Sequence, residues 1–216
     1  MERLDMPNKN YIKTFFEDAH NALNKVDQGK LNEAIELLFD AWKSNRQVFV
    51  IGNGGSASNA THFAADLAKT IIVGDTKGIR AYPLSDNIPL VSALVNDQGW
   101  SELYVGQLKT FFQQGDVVVA FSVHGGSGGE KAGAWSQNLL KAVQYAKDHG
   151  GKTIGFSGFD GGPLLALSDI GILLPSTSTP HVEGLHSELA HGIVFGLMQR
   201  IAQYTRAREQ GVSIRQ

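Results

Sequence analysis

The sequence predicts a single α/β domain: a three-layer α/β/α sandwich around a five-stranded parallel sheet, doubly wound in the flavodoxin-like manner, with two extra helices at the N-terminal end. Three observations carry this. From residue 47 onward, short β-rich runs alternate with longer amphipathic stretches, and strands separated by helices imply right-handed βαβ crossovers. The run Val117 to Phe121 is apolar without interruption, as expected of a strand covered on both faces. A chain of 216 residues, 42% apolar and 19% charged, suits one ordinary domain with a sizeable core.

The elements follow in order. Tyr11 to Lys25 places Phe15, Ala19 and Leu23 near helical spacing, and Leu31 to Trp42 repeats the pattern with Ile35 and Leu38. Asp27-Gln28-Gly29 reads as the turn between them. Gln47 to Ile51 is the first strand, followed by a glycine loop and a helix over about Ser56 to Ile71. Ile79 to Leu84 is the second strand, and Asn87 to Phe112 is largely helical with a break near Gly99. Val117 to Phe121 is the third strand and Trp135 to Asp148 a helix. Thr153 to Phe156 and Ile170 to Leu174 are the last strands, and a long helix over about Val182 to Arg208 closes the chain. No repeat or interdomain linker stands out, so residues 1–216 form one domain, with 1–45 as a leading helical pair. Those helices carry apolar residues on more than one face, including Phe15, Phe16, Leu23, Leu37 and Trp42, which points to an oligomer interface.

Bulk properties exclude several functions. The net charge of −2, without a Lys/Arg run, argues against a nucleic-acid partner. The absence of cysteine removes disulfides, thiolate catalysis and cysteine-type zinc sites. Met1 to Asn10 is polar and unlike a signal peptide, and no apolar run is long enough to cross a bilayer, so the expectation is a cytosolic protein with no membrane partner.

In a doubly wound sheet the ligand sits beyond the carboxyl ends of the strands. Four loops on that rim are rich in glycine and hydroxyls: Gly52 to Ser58, Ser122 to Gly129, Ser157 to Gly162 and Ser176 to Thr179. Glycine admits close backbone approach, and amides opening a helix bind anions. None of these loops holds Lys or Arg, so a phosphate there would be held by amides and hydroxyls. Plain turn formation is the competing explanation of any one loop; four on one edge favour a phosphorylated ligand. Gly52, Gly54 and Ala57 also satisfy the dinucleotide pattern. That pattern wants an acid at the end of the second strand, however. Asp75 precedes the strand and Asp86 comes late, and the serine-rich third loop would go unexplained. No P-loop lysine follows.

His62 and Asp66 lie four apart, a spacing that puts two metal ligands on one helix face near the helix start. In the last helix Glu183, His186, Glu188 and His191 form two successive Glu-x-x-His frames. Taken alone, either spacing is better explained by an ordinary helical surface pair such as Glu188 with His191.

Gly52-Asn53-Gly54-Gly55-Ser56, Thr61-His62-Phe63-Ala64-Ala65-Asp66, Asn96-Asp97 and the Ser122 to Ser127 loop resemble the sugar isomerase (SIS) domain family, in its phosphoheptose isomerase branch. Phe159 to Gly162 and Glu183 to His191 fit the same pattern, so the resemblance covers nearly the whole chain. It implies a ketose–aldose isomerase acting on sedoheptulose 7-phosphate through an enediol. Asn53, Gly54, Gly55, Ser56, Asn96, Asp97 and Glu183 would contact the sugar, and Ser122, Val123, His124 and Ser127 the phosphate. His62, Asp66, Glu183 and His191 would hold a divalent metal, most simply Zn²⁺, with Asp66 as general base and His191 as general acid. No organic cofactor is needed, and a homotetramer with sites between subunits is implied. The sequence departs from the family at four places. Asp66 stands where the family has glutamate and Glu183 where it has glutamine. The phosphate loop reads Ser122-Val123-His124 in place of Ser-Thr-Ser, and Gly128 to Ser136 is longer than usual. A non-catalytic regulator or scaffold of the replication-initiator-associating type is the alternative; that branch lacks a carboxylate at the Asp66 position.

Overall fold

The computed structural model describes residues 10–126 and 136–210. Strands β1 (Gln47–Gly52), β2 (Arg80–Pro83), β3 (Val117–Ser122), β4 (Lys152–Ser157) and β5 (Ile170–Leu173) form one sheet in the order β2-β1-β3-β4-β5, every neighbouring pair parallel. The expected α/β fold is therefore adopted. The chain order reverses between β1 and β3, which opens a crevice at their carboxyl ends.

Two helical layers cover the sheet. One contains α1 (Tyr11–Leu23), α2 (Gln28–Lys43), α3 (Gly55–Lys69) and α8 (Thr179–Glu209). The other contains α4 (Ile88–Gln98), α5 (Leu103–Phe111), α6 (Gln137–Asp148) and α7 (Gly162–Leu167). Alternation along the strands decides the division of the core. Val48 and Val50 of β1 pack with α2, α3 and α8, whereas Phe49 and Ile51 pack with α5 and α6. β3 repeats this, Val117, Val119 and Phe121 facing one layer and Val118 and Ala120 the other. Both faces are buried, which explains the unbroken apolar run.

Two local expectations need correction, and the break expected near Gly99 is found. Asp27 to Gly29 is not a free turn: Asp27 is the N-cap of α2, its Oδ1 accepting from the amides of Gly29 (2.8 Å) and Lys30 (3.3 Å), so the helix starts before Leu31. The segment 87–112 is two helices joined by a 3₁₀ turn at Trp100–Glu102, the break falling at Gly99 with φ 88°. Helix α7 was not anticipated, because six residues opened by Gly162-Pro163 are too few to display a period.

The long helix α8 binds the first layer together. Gly196 lets it approach α2 closely, since a Cβ there would press on Ile35. Alongside, the Arg200 guanidinium sits 3.9 Å from the Phe39 ring centre and its Nε donates to Glu36 at 2.8 Å. Among the described residues no helix is long and apolar enough to cross a membrane.

Candidate active site

Helices α3 and α8 lie side by side, closed against each other by buried Ala60, Ala64 and Leu67 on one and Ala190, Ile193 and Val194 on the other. Their outer edges bring three polar side chains together. His62 Nε2 and His191 Nε2 each stand 3.6 Å from Asp66 Oδ2, and the two nitrogens are 3.5 Å apart. The imidazole planes are nearly perpendicular, at 78°. Asp66 is held from behind, its Oδ1 accepting from the Thr70 hydroxyl at 2.8 Å, so Oδ2 alone faces the imidazoles. Side-chain exposures of 54% for His62, 39% for His191 and 18% for Asp66 leave the cluster open to solvent on one side.

This donor set suits a divalent ion. Around a tetrahedral zinc with bonds of about 2.0–2.1 Å, neighbouring ligand atoms stand about 3.4 Å apart. The three separations in this cluster are near that figure. Three protein ligands with a free fourth position are also the pattern of catalytic zinc sites.

Glu183 is not among the three. Its carboxylate lies directly over Gly55, where any Cβ would overlap it, and its backbone carbonyl accepts from Asn59 Nδ2 at 2.9 Å. His191 is two helical turns further along α8, a rise of roughly 12 Å. His62 is likewise not at its helix start: α3 begins at Gly55, about 10 Å of rise earlier. The cluster thus sits along the α3–α8 groove, below the rim where the loops lie. Glu188 is exposed and makes no ion pair with His191 among the described residues.

The first rim loop is held from inside. Asn53 and Asn138 exchange amides, Asn53 Nδ2 donating to Asn138 Oδ1 at 3.0 Å and Asn138 Nδ2 to Asn53 Oδ1 at 2.9 Å. Tyr104 donates its hydroxyl to the Gly52 carbonyl at 2.5 Å, and burial pushes that phenol up to about 12. Gly54, with φ 57°, turns the chain into α3, and Ser56 is buried in the first helical turn. Asn138 and Tyr104 carried no sequence signal, since each is a single polar group inside a helical run.

The third loop is braced in the same way. Ser122 is buried, and its Oγ accepts from the amides of Gly125 (3.1 Å) and Gly126 (3.3 Å). The Val123 carbonyl accepts from Gly158, and the Gly125 carbonyl from Leu164. These bonds lock the loop to the β4–α7 turn. His124 is exposed, its ring 4.2 Å from that of Phe159. Ser127 lies outside the described residues, as does Gly128 to Trp135. Asn96 and Asp97 are exposed at the end of α4, Asn96 Nδ2 donating to Asp97 Oδ1 at 2.7 Å. His186, the partner of Glu183 in the first Glu-x-x-His frame, is fully buried between Phe121 and Phe156. Burial lowers its pKa to about 4, and neither ring nitrogen has a hydrogen-bond partner among the described residues.

Comparison with known proteins gives a consistent picture. Residues 14–158 match the SIS domain family. The lincomycin biosynthesis protein LmbN of Streptomyces lincolnensis is 37% identical over 186 residues, which span 84% of this chain and 66% of that protein. A phosphoheptose isomerase of Helicobacter pylori is 34% identical over 185 residues, spanning 84% of this chain and 91% of that enzyme. The structure of phosphoheptose isomerase from Neisseria gonorrhoeae superposes with a TM-score of 0.74 at 26% identity, covering 86% of this chain and 96% of that one. The phosphoheptose isomerase of Francisella tularensis, 22% identical, shares the fold, with a TM-score of 0.78 over 90% of this chain and all of the other.

Proposed function

The chain belongs to the SIS domain family and is a phosphosugar isomerase of the phosphoheptose isomerase type, and from that premise we propose that it interconverts sedoheptulose 7-phosphate and an aldoheptose 7-phosphate. The observation that carries the mechanism is the convergence of His62, Asp66 and His191 at separations of 3.5–3.6 Å.

Asp66 takes a proton from C1 of the ketose. The electron pair forms the C1–C2 double bond and the carbonyl oxygen gains the charge. His191 returns a proton at C2, while the hydroxyl proton of O1 passes to O2 and O1 becomes the new carbonyl. A divalent ion held by His62, Asp66 and His191, with Glu183 as a further ligand after a side-chain movement, would supply charge stabilisation for the enediolate. The rim loops position the rest of the sugar: Asn53, Gly54, Gly55 and Ser56 from β1, Asn96 and Asp97 from α4, and Ser122, Val123, His124 and Ser127 at the phosphate.

Assembly belongs to the same proposal. Tyr11, Ile12 and Phe16 on α1 are 57–66% exposed, and covering them in a homotetramer removes a contiguous apolar face from water. Residues 1–45 then act as the interface part of a single cytosolic domain, with no nucleic-acid or membrane partner.

An NMR time course with sedoheptulose 7-phosphate, with and without chelator, tests the reading. Turnover abolished by chelation and restored by Zn²⁺ is expected; no turnover by metal-loaded protein rejects it. Binding without turnover would favour a non-catalytic sugar-phosphate sensor.

A further inference from the structure

Asp66 is the carboxylate of the three-residue cluster, and it stands in the last turn of α3. That is an unfavourable place for it. The carboxyl end of a helix carries partial negative charge, so a carboxylate there is repelled unless positive charge offsets it. Helix stability therefore does not account for Asp66 at this position. Its Oδ2 faces His62 and His191, and its Oδ1 is held by Thr70, a residue that histidine and carboxylate spacings do not single out.

Thr70 departs from the usual behaviour of a helical hydroxyl. Serine and threonine in helices commonly donate back to the backbone carbonyl four residues earlier. Two others in this chain do so: Thr205 Oγ1 donates to the Ile201 carbonyl at 2.9 Å, and Ser168 Oγ to the Leu164 carbonyl at 2.8 Å. The Asp66 carbonyl is close to Thr70, whose own N–H donates to it at 2.8 Å. The Thr70 hydroxyl nevertheless donates to the Asp66 side chain, Oγ1 to Oδ1 at 2.8 Å. Packing fixes where that hydroxyl sits. Leu67 and Ile71, which flank Thr70 in the chain, are fully buried, and the Leu67 carbonyl accepts from Ile79 as the chain returns toward β2.

Rotation about the second side-chain torsion of an aspartate exchanges its two oxygens, and that torsion is soft. Anchoring Oδ1 blocks the rotation and leaves Oδ2 at 3.6 Å from both imidazole nitrogens. A carboxylate free to turn can instead close on a cation with both oxygens. We propose that Thr70 is a positioning residue for the reaction: it holds Asp66 so that a single oxygen is offered to the divalent ion. The position that a second oxygen would occupy then stays open to the sugar, as catalytic metal sites require. Thr70 has this role only if the cluster binds a divalent ion, as in the mechanism above.

Two variants of the full-length protein test it. Thr70→Val keeps the shape and removes the hydroxyl; Thr70→Ser keeps the hydroxyl. Each is compared with wild type by competition titration with Zn²⁺, by the visible spectrum of the Co²⁺-loaded protein, and by turnover of sedoheptulose 7-phosphate at saturating zinc. Hydrogen-bond partners of metal ligands typically contribute about 10–100-fold to metal affinity or activity. Thr70→Val is therefore expected to weaken zinc about tenfold or more, to change the cobalt spectrum, and to lower kcat with KM little altered, since its bond is to the oxygen turned away from the imidazoles. Thr70→Ser is expected to restore all three. A role confined to closing helix α3 would instead lower the thermal midpoint of metal-free Thr70→Val and leave zinc affinity and the cobalt spectrum as in wild type, which overturns the proposal. Zinc affinity lost equally in Thr70→Ser overturns it too, because the hydroxyl would not be the group that acts. If wild type binds zinc and Thr70→Val binds it as tightly, this proposal falls alone; if wild type binds no zinc, the metal-assisted mechanism falls with it.

Discussion

His191 Nε2 lies 3.5 Å from His62 Nε2 although 129 residues separate them in the chain. Two imidazole nitrogens at that distance, each also 3.6 Å from the same carboxylate oxygen, form a geometry that a shared cation satisfies. The contact exists because α3 and α8 are neighbours on one face of the sheet.

His191→Ala should abolish isomerisation while leaving the fold intact, since the side chain is partly exposed and its loss opens no core cavity. Its removal should also weaken zinc binding by more than about tenfold, as loss of one of three ligands implies. Turnover, a zinc competition titration and the thermal midpoint measure the three effects. Full activity in this variant would reject the mechanism.

Gly55→Ala should disturb the site through Glu183, because a Cβ there overlaps the carboxylate. Overpacking of this kind costs about 1–3 kcal/mol, less if the flexible side chain swings aside. In a double-mutant cycle, Glu183→Ala should recover most of the loss, a coupling visible in urea midpoints. Additive effects would mean that the two residues do not touch in solution.

Asn53→Ala leaves the fully buried Asn138 with an unpaired amide. The cost should be about 1–3 kcal/mol, a fall in thermal midpoint of several degrees. Phosphosugar binding should weaken as well, because the first rim loop loses its anchor to α6. Calorimetry that finds stability unchanged would show that water replaces the bond.

His186 should make the fold acid-sensitive. Its folded pKa, about 4, lies below the ordinary 6.5 because the ring is buried, so the unfolded chain binds the extra proton between those values. Stability therefore rises with pH across that window: the His186 contribution is complete above about pH 6.5 and is lost progressively toward pH 4. The maximum effect is about 3 kcal/mol. Urea unfolding of wild type and His186→Phe at pH 7 and pH 4.5 should show the wild type losing more stability than the variant. Equal losses would place the proton elsewhere.

Much of this molecule could be read locally. The period-two and period-3.6 patterns are properties of neighbouring residues, so the strand and helix order and the parallel sheet follow from them, as does the pairing of His62 with Asp66 across one helical turn. Other features depended on contacts distant in sequence. Glu188 is as close to His191 along the chain as any ligand could be, yet His191 turns to Asp66, because helix rotation is set by the core residues Leu189, Ala190 and Ile193. Helix α7 is held by the glycine loops it packs against, and six residues show no period of their own. Tyr104 and Asn138 became structural anchors only when burial turned their polar atoms to Gly52 and Asn53 on the β1 loop. Amino-acid order determined the elements and the chemistry available to them; packing on the sheet decided which side chains meet, since burial of apolar area fixes helix position and rotation regardless of the polar groups carried on the outer edge.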